Sequence, residues 1–166
     1  MLLNQKRGNL VQNGGFEQGL ASWLGADNVG LSSPLCHQGL IAAAMGKPDN
    51  TALASMLQDV PVLPGRVYRL ELSVAGAEAV NPADLVVDVH WVLPCAEIQP
   101  ALGCGPLLIH GQTTGPASVN AWKTAVVFTE TAPLGADSAR ICLTKCGGDA
   151  ACNYLLVDDV IFVERD

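Results

Sequence analysis

Histidines and cysteines are the side chains best suited to chemistry in this chain of 166 residues. The three histidines, His37, His90 and His110, are widely spaced, so they form a metal site only if the fold gathers them. Cys36 precedes His37, but no signature of a cysteine nucleophile accompanies the pair. The sequence contains neither a Gly-x-Ser-x-Gly elbow nor a phosphate-binding glycine loop that opens a helix. We therefore expect a protein that is not an enzyme, with a hydrolase as the alternative.

The six cysteines allow three disulfides in any of about 15 pairings. Cys95 and Cys104 flank a loop, and the last three cysteines bracket a Gly-Gly-Asp turn, so local disulfides are geometrically reasonable. The N-terminal sequence MLLNQKRGNL lacks the regions of a signal peptide, which favours free thiols instead. Zinc is a third interpretation, although the spacing Cys142-x3-Cys146-x5-Cys152 matches no usual zinc pattern.

Two segments with alternating polarity supply candidate ligand-binding residues. Arg69 and Glu71 alternate with apolar residues in 67–74, and Asp88 and His90 do so in 84–92. These four side chains are predicted to line one ligand groove if the two strands share a sheet. The alternative is a solvated sheet face.

Period-two hydrophobicity indicates β-strands almost throughout the chain. Turn signals recur about every ten residues, as in a β-sandwich. Short helical turns are expected only within 13–23 and 149–152. We predict a single all-β domain over 1–166, with its core at about 8–164 and about ten antiparallel strands in two sheets. The predicted strands are 8–12, 27–33, 39–45, 52–60, 67–74, 84–92, 106–112, 122–128, 138–144 and 155–163.

Three tryptophans are expected in the core. Trp23 would cover the N-terminal glycine loop, Trp91 shares the face of apolar residues in 84–92, and Trp122 shares that of Val126 and Phe128. Aromatic residues make up only 5% of the chain, which weakens any hypothesis of a sugar-stacking surface.

Composition excludes several classes of partner. A net charge of −7 provides no basic surface for nucleic acid. No apolar run reaches the roughly 20 residues of a membrane span, so we expect no membrane insertion. The hydrophobic content of 49% is that of a well-buried globular domain.

Four segments in order resemble the galactose-binding-like β-sandwich, and in particular carbohydrate-binding modules of families four, nine and twenty-two. They are NLVQNGGFEQGLASW from residue 9, His37-Gln38-Gly39, the VPVLPGRVY turn and strand, and Val157-Asp158-Asp159-Val160. The resemblance implies a jelly roll with a structural calcium ion. Its ligands would be the carboxylates of Glu17 and Asp158 and the backbone carbonyls near Gly15 and Gln38, a set of hard oxygens suited to calcium. The alternative is that Asp158 is hydrogen-bonded to backbone N–H groups of the glycine loop.

A narrower segment, 52–91, is similar to a Firmicutes domain that precedes collagen-like repeats on spore-surface proteins. Two functions follow from these resemblances. The first is a non-catalytic module that binds a glycan or polysaccharide on its concave sheet. The second is a structural or assembly domain of a cell or spore surface that binds a protein or itself, in the latter case as a homo-oligomer. The resemblance favours an extracellular or surface location, while the residues leave the compartment open.

Overall fold

Antiparallel β-strands make up almost all of the regular structure. The computed structural model describes residues 8–33, 35–49, 53–76, 83–110, 122–147 and 154–165. One turn of 3₁₀ helix, Pro94–Ala96, interrupts the strands in these ranges, and no helix there could cross a membrane. The strands are β1 Leu24–Asp27, β2 Val29–Ser32, β3 Ala42–Met45, β4 Ala54–Pro61, β5 Tyr68–Gly76, β6 Asp84–Val92, β7 Ile98–Pro100, β8 Leu107–His110, β9 Lys123–Phe128, β10 Ser138–Cys146 and β11 Leu155–Glu164.

The strands form two sheets. One has the order β1-β4-β10-β6-β7, with β8 also paired to β6, and the other has the order β2-β3-β11-β5-β9. Consecutive strands β1 and β2 lie at the edges of different sheets, and the chain passes between them at Asn28, whose φ is +54°. The predicted all-β two-sheet sandwich is confirmed, with eleven strands in the described residues.

The core lies between the sheets and is filled by every second residue of the long strands. β6 and β10 alternate strictly between buried and half-buried residues, as expected of strands with one face in the core. Tyr68 stacks on Phe162 with ring centroids 5.1 Å apart and contacts Trp91 at 6.0 Å. The core position predicted for Trp91 is therefore confirmed.

The strand predicted at 8–12 was wrong, since these residues form no strand, whereas 13–23 form successive turns, as expected of that segment. Trp122 does share a face with Val126 and Phe128, but this face points away from the core. The inward residues of β9 are Ala125 and Val127, because β9 pairs with β5 in a register that places Ala125 opposite Leu72. The turn expected at 149–152 lies outside the described residues.

Candidate functional site

The four predicted ligand-binding residues do not share a sheet. Arg69 and Glu71 lie on β5 in the five-stranded sheet, whereas Asp88 and His90 lie on β6 in the six-stranded sheet. All four point outward from the sandwich. The expectation of a single groove is therefore wrong, because the two pairs occupy opposite outer faces.

The outer face of the six-stranded sheet is less exposed along its two central strands than at its borders. The outward residues of its central strands, β6 and β10, are all half-buried. The strands on both sides present exposed apolar residues, with Leu24 of β1 at 58%, Ile98 of β7 at 46% and Leu108 of β8 at 48% exposure. We call this outer face of β4, β10 and β6, bordered by β1, β7 and β8, the trough.

A row of ionisable side chains crosses the trough. Arg140 on β10 lies directly between Asp59 on β4 and His90 on β6 in the strand register. Its Nε and Nη2 donate to the two carboxylate oxygens of Asp59, each at 2.8 Å. His90 Nε2 lies 3.3 Å from Asp88 Oδ2. The hydrogen bond from Arg140 to Asp59 raises the pKa of Arg140, so the guanidinium stays charged. The trough thus holds a fixed array of donors and acceptors.

Cys142 lies beside this row at the centre of the trough. In the register it stands between Leu57 and Asp88. Burial raises the pKa of its thiol, with a smaller contribution from the Asp88 carboxylate. The Cys142 side chain is therefore a neutral thiol at pH 7.

The outer face of the five-stranded sheet is arranged differently. Arg69 Nη1 lies 3.6 Å from Glu71 Oε2, which makes a solvated ion pair within one strand. Phe128 stands opposite Arg69 on β9, and the guanidinium of Arg165 lies 4.8 Å from the centre of its ring. These contacts fit the alternative interpretation of a solvated face.

The N-terminal loop, residues 9–23, fastens the last strand to the rest of the fold. The side chain of Asn13 donates to the carbonyls of Gly19 and Ala21 and accepts from the N–H of Gln18. Phe16 and Trp23 are buried and stack at 5.4 Å. This confirms the predicted burial of Trp23.

Asp158 is the most deeply buried carboxylate in the described residues, with no exposed surface. Its Oδ2 accepts from the N–H groups of His37 at 2.8 Å and Gln38 at 3.1 Å, and its Oδ1 from that of Asp159 at 2.8 Å. Burial raises the pKa of Asp158, and the three backbone hydrogen bonds oppose that shift. Asp158 is thus hydrogen-bonded to backbone N–H groups, but the donors belong to His37, Gln38 and Asp159 and not, as the alternative expected, to the glycine loop.

The predicted calcium ligands can be tested against this arrangement. Glu17 Oε1 accepts from the N–H groups of Leu40 at 2.7 Å and Ile41 at 3.1 Å, and Glu17 Oε2 has no donor among the described residues. A Cβ on Gly15 would lie 3.9 Å from Asp158 Oδ1, so the glycine loop faces that oxygen. Each of the two carboxylates keeps acceptor capacity, but the described ranges hold no group of three or more acidic, histidine or cysteine side chains that could bind a metal ion. These residues suit calcium only if backbone carbonyls complete the shell.

The histidines do not assemble into a metal site. His37 contacts Asp159, His90 contacts Asp88, and His110 contacts Asp84. The structure forms no cluster of three metal-ligating side chains in the ranges that it describes. Four cysteines, Cys95, Cys104, Cys142 and Cys146, are free thiols, so the local disulfide that was one alternative for Cys95 and Cys104 is not formed. Cys152, the third cysteine of the zinc hypothesis, lies outside the described residues.

Sequence reasoning missed Asp59 and Arg140, the two residues that complete the charged row. Both occupy polar positions in alternating segments, the pattern that identified Asp88 and His90. What was lacking is the strand order, because periodicity assigns a residue to a face but does not name the neighbouring strand.

The sequence matches no known protein family and no curated protein. Its fold, however, is shared with several solved structures. One is a family 61 carbohydrate-binding module solved with β-1,4-galactotriose, at 18% identity, a TM-score of 0.68, and coverage of 96% of this chain and 100% of that one. A family 16 carbohydrate-binding module has 22% identity, a TM-score of 0.66, and coverage of 94% and 100%.

Family 22, one of the three families that the sequence resembles, is also found. Its xylan-binding domain from Paenibacillus barcinonensis Xyn10C has 15% identity, a TM-score of 0.59, and coverage of 96% of each chain. The chain therefore has the β-sandwich fold of carbohydrate-binding modules over almost its whole length. The same fold occurs in a Stig cyclase from Fischerella, at 14% identity, a TM-score of 0.58, and coverage of 96% and 98%. At these identities the likeness establishes the fold alone.

Proposed function

We propose that this domain is a non-catalytic carbohydrate-binding module and that its glycan lies in the trough. The observation that carries the proposal is the row Asp59, Arg140 and His90 across the outer face of the six-stranded sheet. Charged groups that are already paired are held in place before binding, so they can hydrogen-bond sugar hydroxyls with little loss of side-chain entropy. The apolar borders around Leu24, Ile98 and Leu108 would contact the less polar edges of sugar rings.

Binding assays with two matched variants test this proposal. We expect wild-type protein to be retarded in gels that contain one of a panel of soluble polysaccharides, with β-1,4-galactan and xylan included. Arg140→Ala should weaken this retention by at least about tenfold, since removal of a charged hydrogen-bonding group costs roughly 1.5 kcal/mol or more. Arg69→Ala, which removes an arginine of the opposite face, should leave retention within about twofold.

Circular dichroism and a melting curve for each variant verify that the fold is retained. A wild-type protein that binds no glycan in the panel contradicts the proposal. Loss of binding in Arg69→Ala but not in Arg140→Ala also contradicts it, because the site would then lie on the opposite face.

We also propose that calcium binds where the N-terminal loop meets β11, through the carboxylates of Glu17 and Asp158 and backbone carbonyls near Gly15 and Gln38. Calcium there would offset the charge of a carboxylate that is wholly buried. A ligand of the native state raises the melting temperature by mass action. We expect EGTA to lower the melting temperature of the wild-type protein but not that of Asp158→Asn. An unchanged wild-type melting temperature, in a sample shown by elemental analysis to lose its calcium, overturns the proposal.

A further inference from the structure

We propose that the domain has a second sugar-binding site on the opposite face of the sandwich, at Trp122, His37 and Asp159. The inference rests on the proposed function and extends it, because two sites on opposite faces would let one domain link two glycan chains. The trough residues described above take no part in this second site.

Trp122 stands at the end of β9 on the outer face of the five-stranded sheet. It is half-buried, unlike Trp23 and Trp91, and so keeps part of its ring in solvent. With Leu35 and Tyr154 it covers a floor of small and apolar residues on three neighbouring strands, namely Ala44, Ala75 and Leu156. A half-exposed indole on a packed floor is a fixed platform on which a sugar ring can stack.

A polar pair stands beside the indole. The ring of His37 lies 5.5 Å from that of Trp122 at an angle of 53°, and its Nδ1 lies 2.5 Å from Asp159 Oδ2. The side chains of His37 and Asp159 are 31% and 22% exposed. Nε2 of His37 has no bond to a described residue. A sugar stacked on Trp122 could therefore form hydrogen bonds with the free ring nitrogen of His37 and with the carboxylate of Asp159.

The backbone holds this pair in place. Asp159 has a φ of +50° and lies in a β-bulge, where the register of β11 against β5 shifts between Asp158 and Ile161. Bulges of this kind redirect a side chain and occur often at functional sites. The buried carboxylate of Asp158 accepts from the N–H groups of both His37 and Asp159, and thus fixes the two backbones relative to each other. Asp158 is a positioning residue for this site.

Tryptophan fluorescence and calorimetry test the inference with β-1,4-galactotriose and xylohexaose as probes. Trp122 is the half-exposed tryptophan of the three, so stacking of a sugar should shift the emission maximum to shorter wavelength. In Arg140→Ala/His90→Ala, which damages the trough, we expect weaker residual binding with a stoichiometry near one and, at saturation, an unchanged emission shift. Adding Trp122→Leu to that variant should remove both. Adding Phe128→Ala instead, an exposed aromatic of the same strand, should leave both within about twofold.

The results separate the two proposals. Loss of all probe binding in Arg140→Ala/His90→Ala overturns the second site and leaves the trough as the sugar site. Residual binding that survives Trp122→Leu also overturns it. If the wild-type protein binds neither probe and no polysaccharide in the panel, both proposals fail.

Discussion

At the scale of single residues, the contact between Glu17 and Gly39 shows why a glycine is required. Gly39 has a φ of +71°, and a Cβ placed there would overlap Glu17 Oε1. Glu17 uses that oxygen to hold the N–H groups of the two residues after Gly39. The carboxylate therefore occupies the space that any side chain at position 39 would need.

We predict that Gly39→Ala lowers the free energy of unfolding by about 2 to 4 kcal/mol, since it combines backbone strain with the loss of a hydrogen-bond network. Gly65→Ala is the matched control. Gly65 has a φ of +77°, but a Cβ added there would meet no atom within 4 Å, so only the strain of about 1 kcal/mol applies. Urea unfolding of both variants measures the difference. Equal losses would show that the contact with Glu17 is unimportant.

A second prediction concerns the pH dependence due to Asp158. Burial raises the pKa of Asp158 above its ordinary value of 3.8. At a pH between the ordinary pKa and the raised pKa, the folded state therefore binds more protons than the unfolded state. The contribution of Asp158 to the free energy of unfolding should therefore increase as pH falls through the raised pKa and decrease as pH rises.

The measurement compares the free energy of unfolding of wild type with that of Asp158→Asn, both in EGTA, between roughly pH 3.5 and pH 7. This range starts near the ordinary pKa of a carboxyl group. The stability of wild type relative to the variant should increase towards low pH. A relative decrease would mean that hydrogen bonds or a tightly held cation stabilise the carboxylate more than burial destabilises it.

At the scale of elements, alternation of polarity predicted β5 and β6 well, because alternate residues along most of each strand face the core. It did not separate β1 from β2, nor did it find β7, since these short edge strands have too few residues for a pattern. For β9, alternation grouped Trp122, Val126 and Phe128 correctly but assigned them to the core. Ala125 faces the core although it is small, because the pairing of β9 with β5 places it opposite the buried residue Leu72.

The candidate sites were predictable to different degrees. The N-terminal loop and Asp158 were paired from the resemblance, and the structure does bring the segment of His37 onto Asp158. The separation of Arg69 from Asp88 depends on the strand order of two sheets, which local pattern does not carry. The contact of His37 with Asp159 depends on a bulge in β11, and the sequence of that strand contains no glycine or proline that would indicate the bulge.

Strand β10 offers a chemical probe of the trough through Cys142. We predict that saturating β-1,4-galactotriose or xylohexaose, whichever binds, slows alkylation of Cys142 several-fold, because a glycan in the trough covers that thiol. The exposed thiol of Cys104 serves as the internal reference and should react at an unchanged rate. Mass spectrometry of iodoacetamide-treated peptides measures both rates. Equal protection of the two cysteines, or none, would contradict a glycan over β10.

At the scale of the whole molecule, the sandwich has features that oppose pairing between sheet edges. At the edge strand β2, Lys47 Nζ donates to the carbonyl of Leu31 at 2.8 Å. At the edge strand β9, Lys123 is exposed although it stands opposite the buried residue Val74. Charged groups at such edges disfavour the addition of a strand from another molecule.

We therefore predict a monomer of 17.3 kDa by light scattering after size exclusion at micromolar concentration. Val126 and Phe128, both exposed on β9, are the surface most able to oppose this result. A stable trimer or a higher oligomer would favour the assembly domain of a cell or spore surface over a single binding module. If such an oligomer dissociated in Phe128→Ser but not in Leu134→Ser, the contact would be assigned to β9.

The central claim, that a glycan lies in the trough, is tested most directly by an NMR titration. ¹⁵N-labelled protein would be titrated with β-1,4-galactotriose and with xylohexaose, and the amide shifts would be mapped onto the strands. We expect saturable shifts along β4, β10 and β6, largest near Asp59, Arg140 and His90, with smaller ones near Trp122 from the second site. Shifts that spare these three strands, or their absence with both sugars, would contradict a glycan in the trough.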